Sequence, residues 1–408
     1  MDQLSQKQKL FYDAVIDGQS VFLSGKAGTG KSFVAKLVIN ELKRRGKKIV
    51  ALAPTGIAAN NIEGQTLHSF FSLPPFGVLD FDSVNFIKGE KRRLLNAIDT
   101  IFIDEVSMLR PDLLDGMNWT LLKNGCKPLR EFQLIFIGDL KQLPSPISDN
   151  MRSVMLKTYN GDEFYNAKVY RHINPIEIEL DEVLRQTNEE FIHHLNVIRD
   201  GGKSEYFRKF LSSDYHGIIL APHNSTVAKY NKEGLALLDG ETFEFTAKVS
   251  GNIKADDFNM ETVVRVKNGA KVMYLANSKD NDLINGTLGT FIGYEVITYN
   301  DDLTENHTGI YKYFIQVNGI DYALNEVEHT KMEYVLNENK DQLELREIGS
   351  ITQMPIKLAY ALTIHKSQGL TFDEVTIDLS LPCFSPGQLY TALSRVRTPE
   401  GLKIIVKR

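Results

Sequence analysis

Three groups of polar residues have types and spacings that could hydrolyse a nucleoside triphosphate. The first, Gly25-Lys-Ala-Gly-Thr-Gly-Lys31-Ser32, fits the spacing G-x-x-x-x-G-K-[ST]. Its glycines would let backbone N–H groups close on phosphates, Lys31 would reach the β- and γ-phosphates, and the Ser32 hydroxyl would bind Mg²⁺. A β-like run precedes the loop and a helix-like run follows it, which is the context this loop requires. A glycine-rich turn without a ligand is the alternative.

Two further groups follow apolar runs that are typical of buried strands. Asp104 and Glu105 come directly after Ile101-Phe-Ile. Asp104 would hold the Mg²⁺ through water, and Glu105 would orient or deprotonate the attacking water. Gln142 follows another such run and could contact the γ-phosphate or its water. Taken alone, each group could be a solvated strand end or an inert surface residue, so the prediction depends on all three occurring in one chain.

A parallel sheet would bring these residues together, because its strands end at one edge. The first 165 or so residues alternate β-like and helix-like runs, which indicates βαβ units. A second set of β-like runs begins at Ile176, Gly217, Val375 and Leu402 and predicts a second α/β unit. A chain of 408 residues is also long enough for two or more domains.

The segment 241–350 interrupts the second unit with a different pattern. Aromatic and β-branched residues alternate in it, and Asn-Gly pairs occur at 268–269, 285–286 and 318–319. Since Asn-Gly between β-like runs is a strong turn signal, we expect a small inserted β-barrel. A shorter insertion is predicted at 72–90, where Pro74-Pro75 and Gly77 break the pattern.

Composition and charge exclude some classes of protein and leave others open. Hydrophobic residues make up 42% and charged residues 24%, as in globular proteins. There is no apolar run long enough for a membrane span, and the first residues lack the features of a signal peptide. Two cysteines, Cys126 and Cys383, cannot build a disulfide framework or a four-ligand zinc site, so we expect a reducing cytosol. The net charge is −5, but residues 241–350 alone hold 19 acidic against 10 basic residues. The rest of the chain is therefore mildly basic, and the net charge does not exclude a nucleic-acid partner.

The order of the motifs resembles that of superfamily 1B DNA helicases of the RecD-like group. The closest resemblance is to the petite-integration-frequency family, whose bacterial members are this compact, and it spans residues 4 to 408. The motifs beyond the P-loop are Ala53-Pro-Thr-Gly-Ile-Ala-Ala, Gln65-Thr-Leu-His68-Ser-Phe-Phe, Ile103-Asp-Glu-Val-Ser-Met, Gly138-Asp-Leu-Lys-Gln-Leu-Pro, Leu184-Arg185-Gln186, Asn285-Gly-Thr-Leu-Gly, Thr363-Ile-His-Lys-Ser-Gln368-Gly and Leu389-Tyr-Thr-Ala-Leu-Ser-Arg395.

The resemblance implies an α/β fold with two RecA-like P-loop NTPase domains and a small SH3-like β-barrel inserted in the second. Domain 1A would cover 1–165, with a short 1B wedge insertion at about 72–90. Domain 2A would comprise 166–240 and 351–408, and domain 2B would be 241–350.

The resemblance also assigns roles to residues by position. Gln8 matches a glutamine that reads adenine, and Arg185 and Arg395 match two arginines that reach the γ-phosphate from the second domain. The implied catalytic residues are Lys31, Asp104, Glu105, Gln142, Arg185 and Arg395, with Ser32 and Asp104 at the metal. The implied nucleotide-binding residues are Gln8, Gly25, Ala27, Gly28, Thr29, Gly30, Lys31, Ser32, Gln142, Arg185, Gly369 and Arg395. The implied DNA-binding residues are Thr55, His68, Ser69, Phe71, His223, Asn224, Thr363, His365 and Ser367. Core packing is the alternative for one of Phe70 and Phe71, and Phe76, Phe81 and Phe86 are candidates for splitting the duplex.

The function implied is that of a monomeric ATP-dependent DNA helicase that uses ATP and Mg²⁺. It would move 5′→3′ on single-stranded DNA and unwind duplex forks, with G-quadruplexes and RNA–DNA hybrids open as further substrates. An RNA helicase, or a translocase that does not unwind, is the alternative within the same class. A small-molecule P-loop kinase would lack the second α/β unit with its arginines. A catalytically inert nucleic-acid-binding adaptor would have lost Lys31, Glu105 or Arg395, and all three are present.

Overall fold

The computed structural model describes residues 4–55, 58–59, 62–74, 77–145, 147, 149–182, 188–251, 253, 260–276, 283, 285–298, 309–337 and 342–407. The chain forms two compact units. Unit 1 consists of Met1–Glu205, Met332–Glu347 and Ser385–Ser394, and unit 2 consists of Tyr206–Lys331, Ile348–Phe384 and Arg395–Arg408.

The helices and strands alternate in the first half of the chain, and strands dominate the second. The helices are Gln6–Ile16 (α1), Lys31–Arg44 (α2), Leu67–Phe71 (α3), Gly89–Ala97 (α4), Pro111–Lys123 (α5), Asp149–Tyr159 (α6), Tyr170–Ile173 (α7), Glu189–Arg199 (α8), Asn224–Ala236 (α9) and Gln388–Leu393 (α10). The strands are Val21–Gly25 (β1), Ile49–Ala53 (β2), Gln65–Thr66 (β3), Thr100–Ile103 (β4), Gln133–Gly138 (β5), Ile176–Leu180 (β6), Ile218–Ala221 (β7), Thr242–Thr246 (β8), Lys248–Gly251 (β9), Val263–Lys267 (β10), Lys271–Tyr274 (β11), Leu288–Thr298 (β12), Gly309–Val317 (β13), Ile320–Leu324 (β14), Val327–Asn337 (β15), Gln342–Gln353 (β16), Ile356–Leu358 (β17), Ala361–Thr363 (β18), Val375–Leu379 (β19) and Leu402–Val406 (β20).

Unit 1 is built on a six-stranded parallel sheet with the strand order β3-β2-β4-β5-β1-β6. Core residues cover both faces: Val21 and Leu23 pack in one apolar cluster, while Phe22 packs in the other. All four residues of β4 are buried, as expected for a central strand of a parallel sheet covered on both sides. The carboxyl ends of these strands therefore lie along one edge of the sheet.

Strand β6 corrects one prediction made from the sequence. Its alternating sequence Ile176-Glu-Ile-Glu-Leu does form a strand, but β6 pairs in parallel with β1, and Val21 lies opposite Ile176. The prediction that this strand belongs to the second α/β unit was wrong. The alternation fits an edge strand of either sheet, because it shows that one face is exposed and says nothing about the neighbouring strand.

Unit 2 combines a parallel sheet with antiparallel β-structure. Four parallel strands have the order β18-β7-β19-β20. The inserted strands form a five-stranded sheet (β14-β13-β12-β11-β17), a two-stranded sheet (β10-β8) and a three-stranded sheet (β15-β16-β9). Strands β13 and β14 form a hairpin whose turn residues, Asn318 and Gly319, both have positive φ, at 51° and 79°. This is the tight turn that Asn-Gly predicts.

The antiparallel strands share an apolar core that includes Val264, Val272, Phe291, Ile315 and Ile356. The five-stranded sheet extends beyond residue 350, because β17 pairs with β11. None of the helices in the described part of the chain combines the length and apolar character that a membrane span needs.

Candidate nucleotide and nucleic-acid site

The glycine-rich loop lies between β1 and α2, at the carboxyl edge of the first sheet. Gly28 and Gly30 adopt left-handed backbone conformations, with φ of 81° and 80°, which side chains disfavour. A Cβ on Gly25 would lie 2.8 Å from the carbonyl oxygen of Leu180, so only glycine fits there. The Lys31 ammonium donates to the carbonyl oxygens of Gly25 (2.8 Å) and Lys26 (2.9 Å). The loop thus curls around its own lysine at the amino end of α2, where a phosphate is favoured.

Gln8 contacts this loop from helix α1. Ser5 and Gln8 form a capping box, in which each side chain accepts a hydrogen bond from the other residue's backbone N–H. The Gln8 amide nitrogen also donates to the carbonyl oxygen of Thr29, at 3.3 Å. The structure therefore places Gln8 beside the nucleotide loop, and its role in reading adenine stays a prediction.

Asp104 and Glu105 lie directly after β4. Glu105 has a left-handed backbone (φ 51°, ψ 47°), which is strained for a residue with a side chain, and its N–H donates to the Asp104 carboxylate at 2.9 Å. Burial, together with the charge of Glu105, raises the pKa of Asp104, and the positive charge of Lys31 opposes this shift. A desolvated carboxyl group that also feels the charge of a second acidic residue is stabilised by a cation.

These groups fit Mg²⁺. Magnesium is bound through one or two carboxylates together with a hydroxyl, waters and substrate phosphates, so Asp104 and the exposed Ser32 can supply the protein oxygens. Within the described ranges, no group of three or more His, Cys, Asp or Glu side chains forms a metal site built from protein ligands alone.

Asp139 organises the loop that follows β5. Its carboxylate is buried and accepts hydrogen bonds from the backbone N–H of Lys141 (3.1 Å) and from the Arg199 guanidinium (3.1 Å). Its carbonyl oxygen accepts from the N–H of Gln142 at 2.9 Å, which places the buried Gln142 side chain at the same edge as the P-loop. Sequence reasoning selected Gln142 and missed Asp139, although its position directly after an apolar strand was a usable signal.

Tyr390, on helix α10, also belongs to this edge of unit 1. Its hydroxyl accepts a hydrogen bond from the P-loop N–H of Ala27 (3.0 Å) and donates to Asp139 (3.2 Å). This residue was not among those predicted from the sequence.

The predicted γ-phosphate arginines are only partly described. Arg395 belongs to unit 2, where its buried guanidinium donates to the carbonyl oxygen of Leu370 at 3.2 Å. Gly369, the residue before Leu370, has a φ of 81°. The structure therefore places the Arg395 guanidinium against Leu370, the residue that follows Gly369 in the chain. Arg185 lies outside the described residues.

The first set of predicted DNA contacts lies where β2 and β3 end. These strands are neighbours, with Leu52 opposite Gln65, and Thr55 follows the first while His68 and Ser69 follow the second. The Thr55 hydroxyl accepts from the N–H of Ala58 at 3.3 Å. Burial, and to a lesser extent Arg110, lowers the pKa of His68, so this imidazole is predominantly neutral at neutral pH.

Phe71 is the exception in this set. Its side chain is 1% exposed and packs edge-on against Phe70 in the core, with ring centroids 5.1 Å apart. The structure does not favour a strand contact by this ring, and core packing accounts for both phenylalanines.

The second set lies at the carboxyl ends of β7 and β18, which are parallel neighbours with Ala221 opposite Thr363. His223 and Asn224 follow β7, while Thr363 ends β18 and His365 follows it. Ser367 is fully buried, and its hydroxyl donates to the carbonyl oxygen of Ile364 at 2.8 Å.

Phe384 completes this second set, and sequence reasoning missed it. Its ring is 59% exposed. Ring centroids lie 5.1 Å from His223 and 6.0 Å from His365, and the latter pair is stacked with an interplanar angle of 19°. The only signal in the sequence was a phenylalanine within the turn-forming stretch Pro382-Cys-Phe-Ser-Pro386.

The fold and the first unit's site define a class of protein. P-loop nucleoside triphosphatases have a parallel sheet with a P-loop after one strand and acidic residues after a nearby strand. The first sheet of this protein has both features. The model of the family "PIF1-like helicase" matches residues 3–208. The chain belongs to the PIF1-like helicase family.

Individual relatives agree with this assignment. The ATP-dependent DNA helicase Pif1 of Campylobacter jejuni is 30% identical, over 96% of this chain and 90% of its own length. The human ATP-dependent DNA helicase PIF1 is 32% identical, over 99% of this chain and 61% of its own length. The solved structure of unliganded Pif1 from Bacteroides sp has a TM-score of 0.82 and 32% identity, covering 98% of this chain and 92% of that one. Bacteroides sp Pif1 in complex with ADP-AlF4 has a TM-score of 0.82 and 31% identity, over the same shares of both chains.

Proposed function

We propose that this protein is an ATP-dependent DNA helicase, which hydrolyses ATP with Mg²⁺ to move along single-stranded DNA and separate a duplex. The main support for this proposal is the set of residues that follow the strands at one edge of the first sheet. The P-loop, Asp104 and Asp139 follow three of its strands, and Thr55, His68 and Ser69 follow two neighbouring ones. A nucleotide-dependent movement at this edge would therefore act on the strand-contacting residues as well. The named activities of the relatives from Campylobacter jejuni and human support the same function.

Hydrolysis at this site needs positioning and charge stabilisation. Lys31 and the P-loop amides would hold the β- and γ-phosphates, with Ser32 and Asp104 at the Mg²⁺ that neutralises them. Glu105 would orient or deprotonate the attacking water, and Gln142 would contact the γ-phosphate or that water. Arg185 and Arg395 would supply guanidinium groups to the charge developing on the transferred phosphoryl group. Gln8 would read the adenine.

The domain assignment follows the family. We assign the two parallel sheets to two RecA-like domains, and residues 241–350 to an SH3-like domain 2B, which the antiparallel strands of that segment support. Movement 5′→3′ and action as a monomer follow from the resemblance. Cys126 and Cys383 are free thiols, which supports a reducing compartment such as the cytosol.

The strand-contacting residues suit single-stranded DNA. Hydroxyl and amide groups such as those of Thr55, Asn224 and Thr363 would contact phosphates. This chemistry needs no large positive charge. Phe384, held by His223 and His365, would add a ring on which a base can stack. Aromatic stacking of this kind contributes about 1–3 kcal/mol per base.

The region 72–90 presents two aromatic side chains for duplex separation. Phe86 is 77% exposed, and the Lys123 ammonium lies 5.2 Å from its ring centroid and 5.6 Å from that of Phe81. Lys123 also donates to the carbonyl oxygens of Phe81, Asp82 and Val84, which fixes the loop. We propose that these rings form the separating surface. Phe76 lies outside the described residues.

ATPase and unwinding assays test the proposed function. ATP hydrolysis is measured without polymer, with single-stranded DNA and with single-stranded RNA, and unwinding is measured on duplexes with a 5′ or a 3′ tail. We expect stimulation by DNA above that by RNA, and unwinding of the 5′-tailed duplex. Lys31→Ala is the control for contaminating ATPase, since it removes the phosphate-binding charge. Stronger stimulation by RNA would favour an RNA helicase, and stimulation without unwinding would favour a translocase.

A further inference from the structure

Tyr390 joins two loops of unit 1 through one buried hydroxyl group. The side chain is 3% exposed. Its oxygen accepts from the N–H of Ala27 at 3.0 Å and donates to the carboxylate of Asp139 at 3.2 Å. The first partner is a backbone amide of the phosphate-binding loop, and the second begins the loop that carries Gln142. One hydroxyl therefore links the two loops on which the nucleotide chemistry depends.

The carboxylate of Asp139 is in turn held by Arg199, the last residue of α8. The Arg199 guanidinium lies 3.1 Å from Asp139 and 3.6 Å from Glu179, and the Asp139 side chain has no exposed surface. A buried carboxylate is costly unless it is paired and hydrogen-bonded, and Arg199 supplies that partner to Asp139. Burial, with Asp139 next in effect, raises the pKa of the Tyr390 phenol, which keeps its proton for the bond to Asp139.

Helix α10 is fitted closely against the same loop. Gly387, which precedes the helix, has a φ of 70°, and a Cβ there would lie 2.5 Å from the carbonyl oxygens of Lys141 and Gln142. Such an approach requires glycine. The helix ends at Leu393, and Arg395 follows two residues later.

We propose that Tyr390 is a positioning residue for ATP hydrolysis, which holds the Ala27 amide and the Asp139–Gln142 loop in one arrangement and ties both to the helix that runs into Arg395. The inference rests on the proposed function and deepens it. Lys31 and the other loop amides bind the phosphates whether or not the Tyr390 hydroxyl is present. Tyr390 therefore contributes to the placement of reacting groups and not to nucleotide affinity, and small displacements of such groups are costly in rate.

The test removes one oxygen atom and uses a matched control. Tyr390→Phe deletes the hydroxyl, and Tyr230→Phe deletes the same kind of group in unit 2, where the Tyr230 hydroxyl donates to Asp378 at 2.9 Å. We expect Tyr390→Phe to lower kcat of DNA-stimulated ATP hydrolysis about tenfold and to leave KM for ATP within about twofold. Tyr230→Phe should change neither constant by more than about twofold.

A double-mutant cycle tests the chain of contacts. Arg199→Met withdraws the counter-charge of Asp139 without touching Tyr390. If Tyr390 and Arg199 both act through Asp139, the double variant should have a kcat close to that of the less active single variant. If they act independently, the two fold-losses in kcat should multiply. A wild-type kcat in Tyr390→Phe, a raised KM with unchanged kcat, or multiplying effects would each overturn the proposal. Wild-type protein that shows no DNA stimulation would instead overturn the proposed function, so the two failures are distinguishable.

Discussion

Lys357 is a buried ammonium group whose replacement should make the protein more stable. It lies on β17 opposite Met273, its side chain is 7% exposed, and burial lowers its pKa from 10.5 to about 8, with the nearby charge of Lys366 acting in the same direction. Because the native state disfavours the charged form, folding at neutral pH carries a cost. The difference between the two pKa values corresponds to about 3 kcal/mol at pH 7.

The sign of this effect fixes its pH dependence. Below about pH 8 the lysine is charged in both the native and the unfolded state, so the cost is present in full. Between about pH 8 and pH 10.5 the unfolded state binds more protons than the native state, so stability rises with pH. From about pH 7 to pH 9.5 the cost should fall by about 2 kcal/mol.

Lys357→Met should therefore raise the free energy of unfolding of unit 2 at about pH 7, and this gain should shrink at about pH 9.5. Urea unfolding is followed by pulse proteolysis, with peptides from β11 and β17 quantified to report on unit 2. The single tryptophan, Trp119 on α5, reports on unit 1 and should show an unchanged transition. Lys271→Met, on the neighbouring strand at an exposed position, is the matched control. Parallel stability curves for the wild type and Lys357→Met across this pH range would refute the reasoning.

Three further predictions concern the nucleotide and DNA sites. Glu105→Gln should retain ATP binding and lose turnover, measured by equilibrium binding of a fluorescent nucleotide alongside hydrolysis, and wild-type turnover would exclude a role in activating water. Arg395→Ala should keep nucleotide-free DNA affinity while slowing hydrolysis by about 10³-fold or more, and equal DNA-stimulated rates would contradict the arginine's role. Phe384→Ala should weaken binding of a thymidine strand about tenfold but spare a strand without bases, measured by fluorescence anisotropy, whereas equal losses on both strands would point to backbone contacts.

The residues of the nucleotide site on the first sheet could be predicted from the sequence more accurately than the sheet to which each strand belongs. The spacing from Gly25 to Ser32 and the strand ending in Asp104 are local patterns, and local patterns encode strand ends directly. Strand β6 was predicted as a strand but assigned to the wrong sheet, since parallel pairing is a long-range choice. Phe71 was predicted to contact DNA, with core packing as the alternative for one of Phe70 and Phe71, and its ring is buried. An apolar residue in a short helix has the same sequence pattern on either face, so the sequence did not separate the two roles. Tyr390 was missed because its hydrogen bond to Asp139 joins residues 251 positions apart and leaves no local pattern.

The discontinuity of unit 1 has a consequence for synthesis. The chain leaves this unit after Glu205 and contributes its final segment only at Ser385–Ser394. A nascent chain ending near residue 205 would contain the whole first sheet, but the P-loop amide of Ala27 would lack the hydroxyl of Tyr390. At ordinary rates of translation the missing helix is made on the order of 10 to 40 s later. The nucleotide loop of the growing chain therefore acquires its last partner near the end of synthesis, and a ribosome-bound intermediate would present this loop to solvent or to chaperones until then.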